Sequence, residues 1–363
     1  MPSLEIARAL VARGHDPDSI ELYGSRRGQE AQTWPTLEFA FTLLPGRGIR
    51  RSLTPDALWA NAGALLGLAW AALRATVAFV LHRPRVVVLV GGYASFPAGI
   101  AAVLTRVRFV TVTTDAVPGA VNRLFGPLAA ANAVAFEGTK IRRAQVTGTP
   151  VRPELLHLDR SPQGRRAARA RLGLPPDRLT VTAVGGSIGA RRINRAVAEL
   201  ASRWSDRGDL TLLHVTGRRD FEAFGGAGRA GAGVPAPDSD GLFYDVVAYQ
   251  DRIPDFMSAA DVMISRAGAM TVAERLAAGV PGVLVPLPGA PRDHQTRNAQ
   301  AVVSVGAAVL VPDSQCDADR LGAELDPLLA DARRRDAMEA AAHQLGHADA
   351  AARVASLVDT HAR

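Results

Sequence analysis

The sequence predicts an α/β chain of two doubly wound, parallel-sheet domains facing each other across a cleft, and three observations carry that prediction. Strand, glycine-rich loop and helix follow one another twice, at PRVVVLVGGYASFPAGIAAVLT (84–105) and at LTVTAVGGSIGARRINRAVAEL (179–200). The run VVVLV is continuously apolar, as a strand covered on both faces must be. Between the two repeats, GTPVRP (148–153) has the Gly/Pro composition of a linker.

The elements follow in order. Leu4, Ile6, Ala7, Leu10 and Val11 recur at helical spacing, and Gly14 stops that helix. SIELYGS (19–25) and LEFAFTLLP (37–45) read as strands. Residues 57–81 form a long apolar helix broken only by Asn61 and Arg74. A membrane span needs about 20 apolar residues, and Ala57 to Leu73 falls short of it with Arg74 near the centre of the run. Three readings stay open there: a spanning helix, a buried one, or one lying on a membrane, with Trp59 and Trp70 at the interface and Arg47, Arg50 and Arg51 just upstream. RFVTVTTD (108–115), NAVAFEGT (132–139) and RAQVTGTPVRP (143–153) continue the first half. In the second, TLLHVTG (211–217), YDVVAY (244–249), ADVMISRAG (260–268) and PGVLVPL (281–287) read as strands, TVAERLAAG (271–279) as a helix and 222–241 as a surface loop. The expected division is a first domain over 1–150, a second over 151–325, and helices over 326–363 packing back toward the first.

Composition narrows the function. The 363 residues, 48% hydrophobic, suffice for two cores. One cysteine, Cys316, excludes an intrachain disulfide framework and a cysteine metal cluster, and fits a reducing compartment. The first apolar run carries Glu5, Arg8 and Arg13, unlike a secretory signal, so the cytoplasm is the expected location. Net charge is +7, and Lys140 is the only lysine. A positive excess suits anionic headgroups or phosphorylated substrates. Scattered arginines and 5% aromatics argue against nucleic acid.

The chemistry is concentrated in three places. Gly185, Gly186, Ser187 and Gly189 lie between a buried strand and a helix, where backbone N–H groups make an anion site, although a tight turn also needs glycine. Gly91, Gly92 and Tyr93, with Gly99, repeat that geometry; close helix–strand packing is the alternative. The densest segment is SRAGAMTVAERLAAGVPGVLVPLPGAPRDHQTRNA (265–299). Glu274 reads as a first-turn residue, either serving the helix dipole or gripping sugar hydroxyls. Asp293, His294, Gln295, Arg297 and Asn298 offer hydrogen bonds to a polyhydroxylated ligand, or cap a helix. Arg165, Arg166, Arg169 and Arg171 read as a solvated helix start, and His343 and His347 as a solvated helix face.

GGYASFPAG, GTPVR, VGGSIGARRIN, AADVMISRAGAMTVAE and DHQTRNA together resemble the MurG family, over nearly the whole chain. The resemblance implies two Rossmann-like domains of the glycosyltransferase B fold. It also implies inverting transfer of N-acetylglucosamine from its UDP donor to the C4 hydroxyl of undecaprenyl-diphosphate-linked N-acetylmuramyl-pentapeptide, with no metal or other cofactor. Partners would be those two substrates and an anionic membrane surface at the cytoplasmic face of the cell membrane, met peripherally. Carried over by motif, Arg152 and Ser187 contact the donor, Ser187 and the loop amides facing its diphosphate. Gln250 sits beside the uracil, Ala269, Met270, Thr271, Val272 and Ala273 offer backbone amides, Glu274 holds the ribose hydroxyls and Gln295 reads the sugar. Gly91, Gly92 and Tyr93 belong to the acceptor's diphosphate, and Arg142 and Arg143 to the membrane-facing surface.

Two departures stand out. Asp115, in Val112-Thr113-Thr114-Asp115 ahead of Pro118, Gly119 and Asn122, takes the place of an asparagine that contacts the donor sugar, and a carboxylate accepts but does not donate unless protonated. Family members also begin with a strand and a G-G-x-G-G-H loop, and Met1-Pro2-Ser3-Leu4 corresponds to the residues just after it. The catalytic base is therefore unassigned. The expectation is that the cell's full product carries that segment and that the chain as written transfers weakly or not at all. Two rival readings are a related transferase with another lipid or natural-product acceptor, and a non-catalytic paralogue that binds the lipid-linked precursor or cell-wall synthesis proteins.

Overall fold

The structure is a computed structural model that describes residues 2–26, 39–44, 55–186, 190–225 and 240–362, with side chains from 63 onward in the segment that begins at 55. In the first half the elements run α1 (Pro2–Ala12), β1 (Glu21–Ser25), β2 (Ala40–Leu44), α2 (Pro55–His82), β3 (Val86–Leu89), α3 (Gly92–Leu104), β4 (Arg108–Thr113), α4 (Ala120–Phe125), β5 (Ala131–Val134) and β6 (Ala144–Val146). The second half runs α5 (Pro162–Arg171), β7 (Leu179–Val184), α6 (Arg191–Arg203), β8 (Leu210–Val215), α7 (Phe221–Phe224), β9 (Phe243–Val247), α8 (Ile253–Ala259), β10 (Val262–Ser265), α9 (Ala269–Ala278), β11 (Gly282–Leu284), α10 (His294–Val303) and β12 (Val309–Leu310). Helices α11 (Ala318–Ala330), α12 (Ala332–Leu345) and α13 (Ala350–His361) close the chain. Two compact units result, residues 1–150 with 349–363, and residues 151–348. Helices α11 and α12 thus stay with the second unit, and α13 alone of the closing helices belongs to the first.

In the first unit the strands are parallel, but they form two ladders, β1–β2 and β3–β4–β5–β6. Alternation along β4 sends Val110 and Val112 to one face, where Ile6 and Leu10 of α1 and Val354, Ala355 and Val358 of α13 cover them. Phe109 points to the other, onto Ala98 and Ala101 of α3, Ala75 and Phe79 of α2, and Phe125. Among the described residues no backbone ladder joins β1 to β3. A cavity of about 810 Å³ lies between them, lined by Leu22 and Tyr23 of β1, Val86 and Val88 of β3, Ile6 of α1 and Gly91.

Helix α2 is the segment for which three readings stayed open. Ala64, Ala71, Ala75 and Phe79 form a buried stripe, while Leu65, Leu66, Trp70, Leu73, Val77, Val80 and Leu81 are each at least half exposed. Residues 63–82 are long and apolar enough to cross a membrane, and 28% of the most apolar stretch is buried against protein. The helix is one-sided: packed along alanines, open along leucines and a tryptophan. Trp59 (by its side chain), Arg47, Arg50 and Arg51 lie outside the described residues.

The second unit carries one parallel sheet of six strands in the order β12-β11-β10-β7-β8-β9. Ile193, Val197 and Leu200 of α6, with Leu321, Leu325 and Leu328 of α11, cover one face. Phe256 and Met257 of α8 cover the other, against Leu213, Phe243 and Met263. The arginines of α5 depart from the solvated-face reading. Arg169 is 6% exposed; its Nη2 donates to the Asp261 Oδ2 at 2.5 Å and its Nε to the Ala259 carbonyl. Arg165 pairs with Glu339 of α12 at 2.8 Å, alongside the buried Arg160. Arg166 and Arg171 stay exposed. A buried guanidinium persists only when paired and hydrogen-bonded, and here the pairing ties α5 to α8 and α12.

Candidate functional site

The chain leaves β7 toward β8 and β9, then returns to the other side of β7 to build β10, β11 and β12. Adjacent strands whose connections run opposite ways leave a crevice at their carboxyl ends, where ligands of open α/β sheets bind. The segments after β7 and after β10 flank that crevice, and both are ones the sequence singled out.

After β7, a Cβ on Gly185 would lie 2.5 Å from the Ala190 Cβ, and Gly186 adopts φ +93°, so the turn itself requires both glycines. Ser187 lies outside the described residues. After β10, Gly268 caps α9 with no side-chain bond of its own, and the first intrahelical bond is Val272 N–H to the Gly268 carbonyl at 2.9 Å. The amides of Ala269, Met270 and Thr271 precede that bond and emerge from the open end of the helix. Those of Val272 and Ala273 are spent inside it. The expected five-residue amide set thus contracts to three.

Glu274 is the sixth residue of α9, and the first turn holds no acidic side chain, so the first-turn placement and the dipole account drop out together. Its Oε1 instead meets the Arg152 Nη2 at 3.2 Å, both groups half-buried. Burial pushes the Glu274 carboxyl above its ordinary range while Arg152 pulls the other way. Gln295 stands on the first turn of α10, its Oε1 accepting from Leu287 N–H at 3.0 Å. Its Nε2 would lie 3.8 Å from a Cβ on Gly268, which places it beside the α9 cap. Arg152, Glu274, Gln295 and the α9 amides therefore belong to one unit, with Gln295 and the amides brought together at Gly268.

The neighbouring polar residues divide between roles. Asn298 is buried and donates to the Ala267 carbonyl, His294 bonds the Pro291 carbonyl, and Asp293 accepts from Thr296 at 2.6 Å. Capping and anchoring thus absorb most of that density, leaving Gln295, with Arg297 exposed. Arg292 and Asp293 both adopt positive φ, at +58° and +55°, immediately ahead of α10. Such strain in non-glycine residues is held at functional loops by the structure around them. Gln250, past the end of β9, accepts from Arg252 N–H at 2.8 Å. Beside it the half-exposed Tyr249 ring carries the Arg218 guanidinium 5.0 Å from its centroid.

Sequence reasoning missed a buried polar chain under the loop after β7. The two ring nitrogens of His214 meet the Tyr244 hydroxyl at 2.9 Å and the Asn194 Oδ1 at 3.0 Å. Asn194 donates to the Thr216 carbonyl and to Asp220, whose carboxylate is also held by Arg219 and Arg191. A histidine inside the apolar run TLLHV and an asparagine on the apolar side of α6 were the available signals. Burial lowers the His214 pKa from 6.5 to about 4. The unfolded chain therefore binds a proton that the folded one refuses, and stability falls as pH drops from 6.5 toward 4, by up to about 3 kcal/mol. Thermal melts across that window should show the loss, and His214→Gln should flatten it; an unchanged slope would remove His214 as the cause.

In the first unit, Gly91 and Gly92 take φ +94° and +77° at the start of α3, with Tyr93 beside them. All three line the cavity between β1 and β3. A Cβ on Gly99 would lie 2.7 Å from the Phe125 ring, so close packing accounts for that glycine. Asp115 follows β4, and Asn122 is buried, donating to the Val112 carbonyl and the Thr113 hydroxyl at 2.8 Å. Arg142 is exposed, whereas the Arg143 guanidinium donates to the Ala129 carbonyl. Burial raises the Cys316 thiol to about 11, leaving it protonated. Among the described residues no group of three His, Cys, Asp or Glu is placed to hold a metal.

Residues 1–134 match the model of the glycosyltransferase family 28 N-terminal domain, and residues 180–354 that of the C-terminal domain. A curated UDP-N-acetylglucosamine–N-acetylmuramyl-(pentapeptide) pyrophosphoryl-undecaprenol N-acetylglucosamine transferase from a Nocardioides species is 38% identical over 97% of this chain and 93% of its own length. The enzyme of that name from Frankia casuarinae is 36% identical over 98% and 91%. The crystal structure of Acinetobacter baumannii MurG superposes with a TM-score of 0.75 at 25% identity, covering 99% of this chain and 95% of that one. Agreement of this extent, running through both halves of the sequence, means that the chain belongs to the MurG family of glycosyltransferases.

Proposed function

We propose that the chain transfers N-acetylglucosamine from UDP-N-acetylglucosamine to undecaprenyl-diphosphate-linked N-acetylmuramyl-pentapeptide, with the donor held in the second unit. The observation that carries this reading is the pairing of Arg152 with Glu274 of α9, with Gln295 beside the open end of the same helix. A carboxylate with one oxygen engaged by arginine still offers the other to adjacent hydroxyls, as a ribose presents them. The Ala269, Met270 and Thr271 amides supply fixed N–H dipoles for the nucleotide, and Gln295 an amide for sugar hydroxyls. Tyr249 and Gln250 stand together past β9 as the place for the uracil, the half-exposed ring giving it a stacking face. The leaving group is a nucleoside diphosphate, so preorganised donors there stabilise charge as the glycosidic bond breaks. Calorimetry with UDP-N-acetylglucosamine and uridine, joined to label transfer onto the lipid-linked acceptor, tests the reading. Saturable binding of the first, tighter than that of uridine, is expected; no binding of either would overturn the reading.

The acceptor is lipid-linked, and the exposed face of α2 suits a peripheral approach to an anionic membrane. Leucines and Trp70 supply apolar area, with exposed Arg74, Arg83 and Arg85 on and after the helix. Leu66→Glu with Trp70→Glu should cut co-sedimentation with phosphatidylglycerol vesicles at least tenfold while leaving the melting temperature unchanged. Retention of binding by that double variant would place the docking surface elsewhere.

A further inference from the structure

Arg191 is the first residue of α6, the helix that follows β7, and the loop after β8 carries Arg219. Both side chains are more than half exposed at the carboxyl end of the sheet, yet both are tied to one carboxylate, Asp220, whose side chain is inaccessible to solvent. Arg219 grips it with Nε at 2.9 Å and Nη2 at 3.1 Å. Arg191 meets it through Nε alone, at 3.4 Å, so its two terminal nitrogens extend beyond the pair. Asn194 completes the carboxylate's shell from beneath at 3.2 Å and is itself locked by His214 and the Thr216 carbonyl.

This is an expensive arrangement for two surface arginines. Burying a carboxylate is unfavourable unless it is fully hydrogen-bonded, and exposed ion pairs alone recover little. The chain commits a buried asparagine, histidine and tyrosine to supporting Asp220, and one carboxylate cannot neutralise two guanidinium groups. The surplus positive charge sits at the carboxyl ends of β7 and β8, beside the Gly185-Gly186 turn. Arg192, the next residue, turns instead to Asp313 and the Ser314 carbonyl.

We propose that Asp220 is a positioning residue that aims Arg191, with Arg219 beside it, at the diphosphate of the bound nucleotide, a role that rests on the donor site being in the second unit. A planar guanidinium held by its Nε presents its remaining N–H donors in a fixed fork that matches phosphate oxygens. The leaving diphosphate gains negative charge as the sugar departs, so the fork favours the departing state over the bound donor.

The test compares the affinities of UDP and uridine by calorimetry, because only UDP carries the charge that the arginines meet. In Arg191→Ala, UDP should bind at least tenfold more weakly while uridine changes less than twofold, and Arg191→Lys should recover part of the loss. Arg219→Ala should act in the same direction with a smaller effect. Asp220→Asn keeps the shape of the side chain but removes its charge, and should lower the UDP-to-uridine ratio at least threefold. An unchanged ratio in the Arg191→Ala, Arg219→Ala double variant, with wild type binding UDP, would overturn the clamp and leave the donor site standing. Wild type binding neither compound would overturn the donor-site reading and the clamp with it.

Discussion

Glu274→Ala is expected to weaken UDP-N-acetylglucosamine binding roughly a hundredfold. Two hydroxyl hydrogen bonds to a charged acceptor are each worth about 1.5 kcal/mol, and about 3 kcal/mol is two powers of ten. The fold should survive, because the partner left behind, Arg152, is 30% exposed and finds water. Glu274→Gln keeps one acceptor and should fall between the two. The contact itself is isolated by pairing the variant with donors lacking the ribose 2′ or 3′ hydroxyl. Wild type should lose affinity for those donors, while Glu274→Ala should treat them like the parent compound. Equal losses in both proteins would detach Glu274 from the ribose.

The largest effect on stability is expected at a residue with no part in binding. Gly282 pairs with Met263 in the β10–β11 ladder, and a Cβ there would lie 1.9 Å from the Met263 carbonyl oxygen. The obstruction is backbone in the middle of a six-stranded sheet, so no rotamer relieves it. Gly282→Ala should cost about 3 kcal/mol or more, lowering the melting temperature of the second unit by roughly 6–12 °C. Urea melts would read the loss as a lower midpoint, and a midpoint within error of wild type would mean that the ladder adjusts freely.

The alternating pattern made the doubly wound architecture legible, because a strand buried on both faces has no other way to look. It also located the site segments, since glycine is demanded where a strand turns sharply into a helix. Boundaries were less legible, and one of them changed the chemistry. Thr271 resembles a helix start, but Gly268 is the cap, so Glu274 moves to the second turn and toward Arg152. Arg169 was misread because local sequence cannot announce that Asp261, far along the chain, will reach it at 2.5 Å. Asp220 was invisible for the same reason: Gly-Arg-Arg-Asp reads as a solvated turn until Asn194 and His214 are brought underneath it. Pairings across long sequence separation are created by packing, and composition carries no trace of them.

The split between the ladders of the first unit shapes how that unit comes apart. Hydrogen bonds transmit cooperativity along a sheet from strand to strand, and among the described residues no ladder carries it across the cavity between β1 and β3. Side-chain packing links the β1–β2 pair to its surroundings, through Ile20 beside Val86 and Val88, Leu22 on Leu4 and Ala7 of α1, and Tyr23 edge-on to Phe79 of α2. The β1–β2 pair is therefore expected to open before the β3 to β6 ladder, whose one face α1 and α13 cover. Heat is expected to release that pair first, with α1 and α13 still closing one face of β4 and α3 the other.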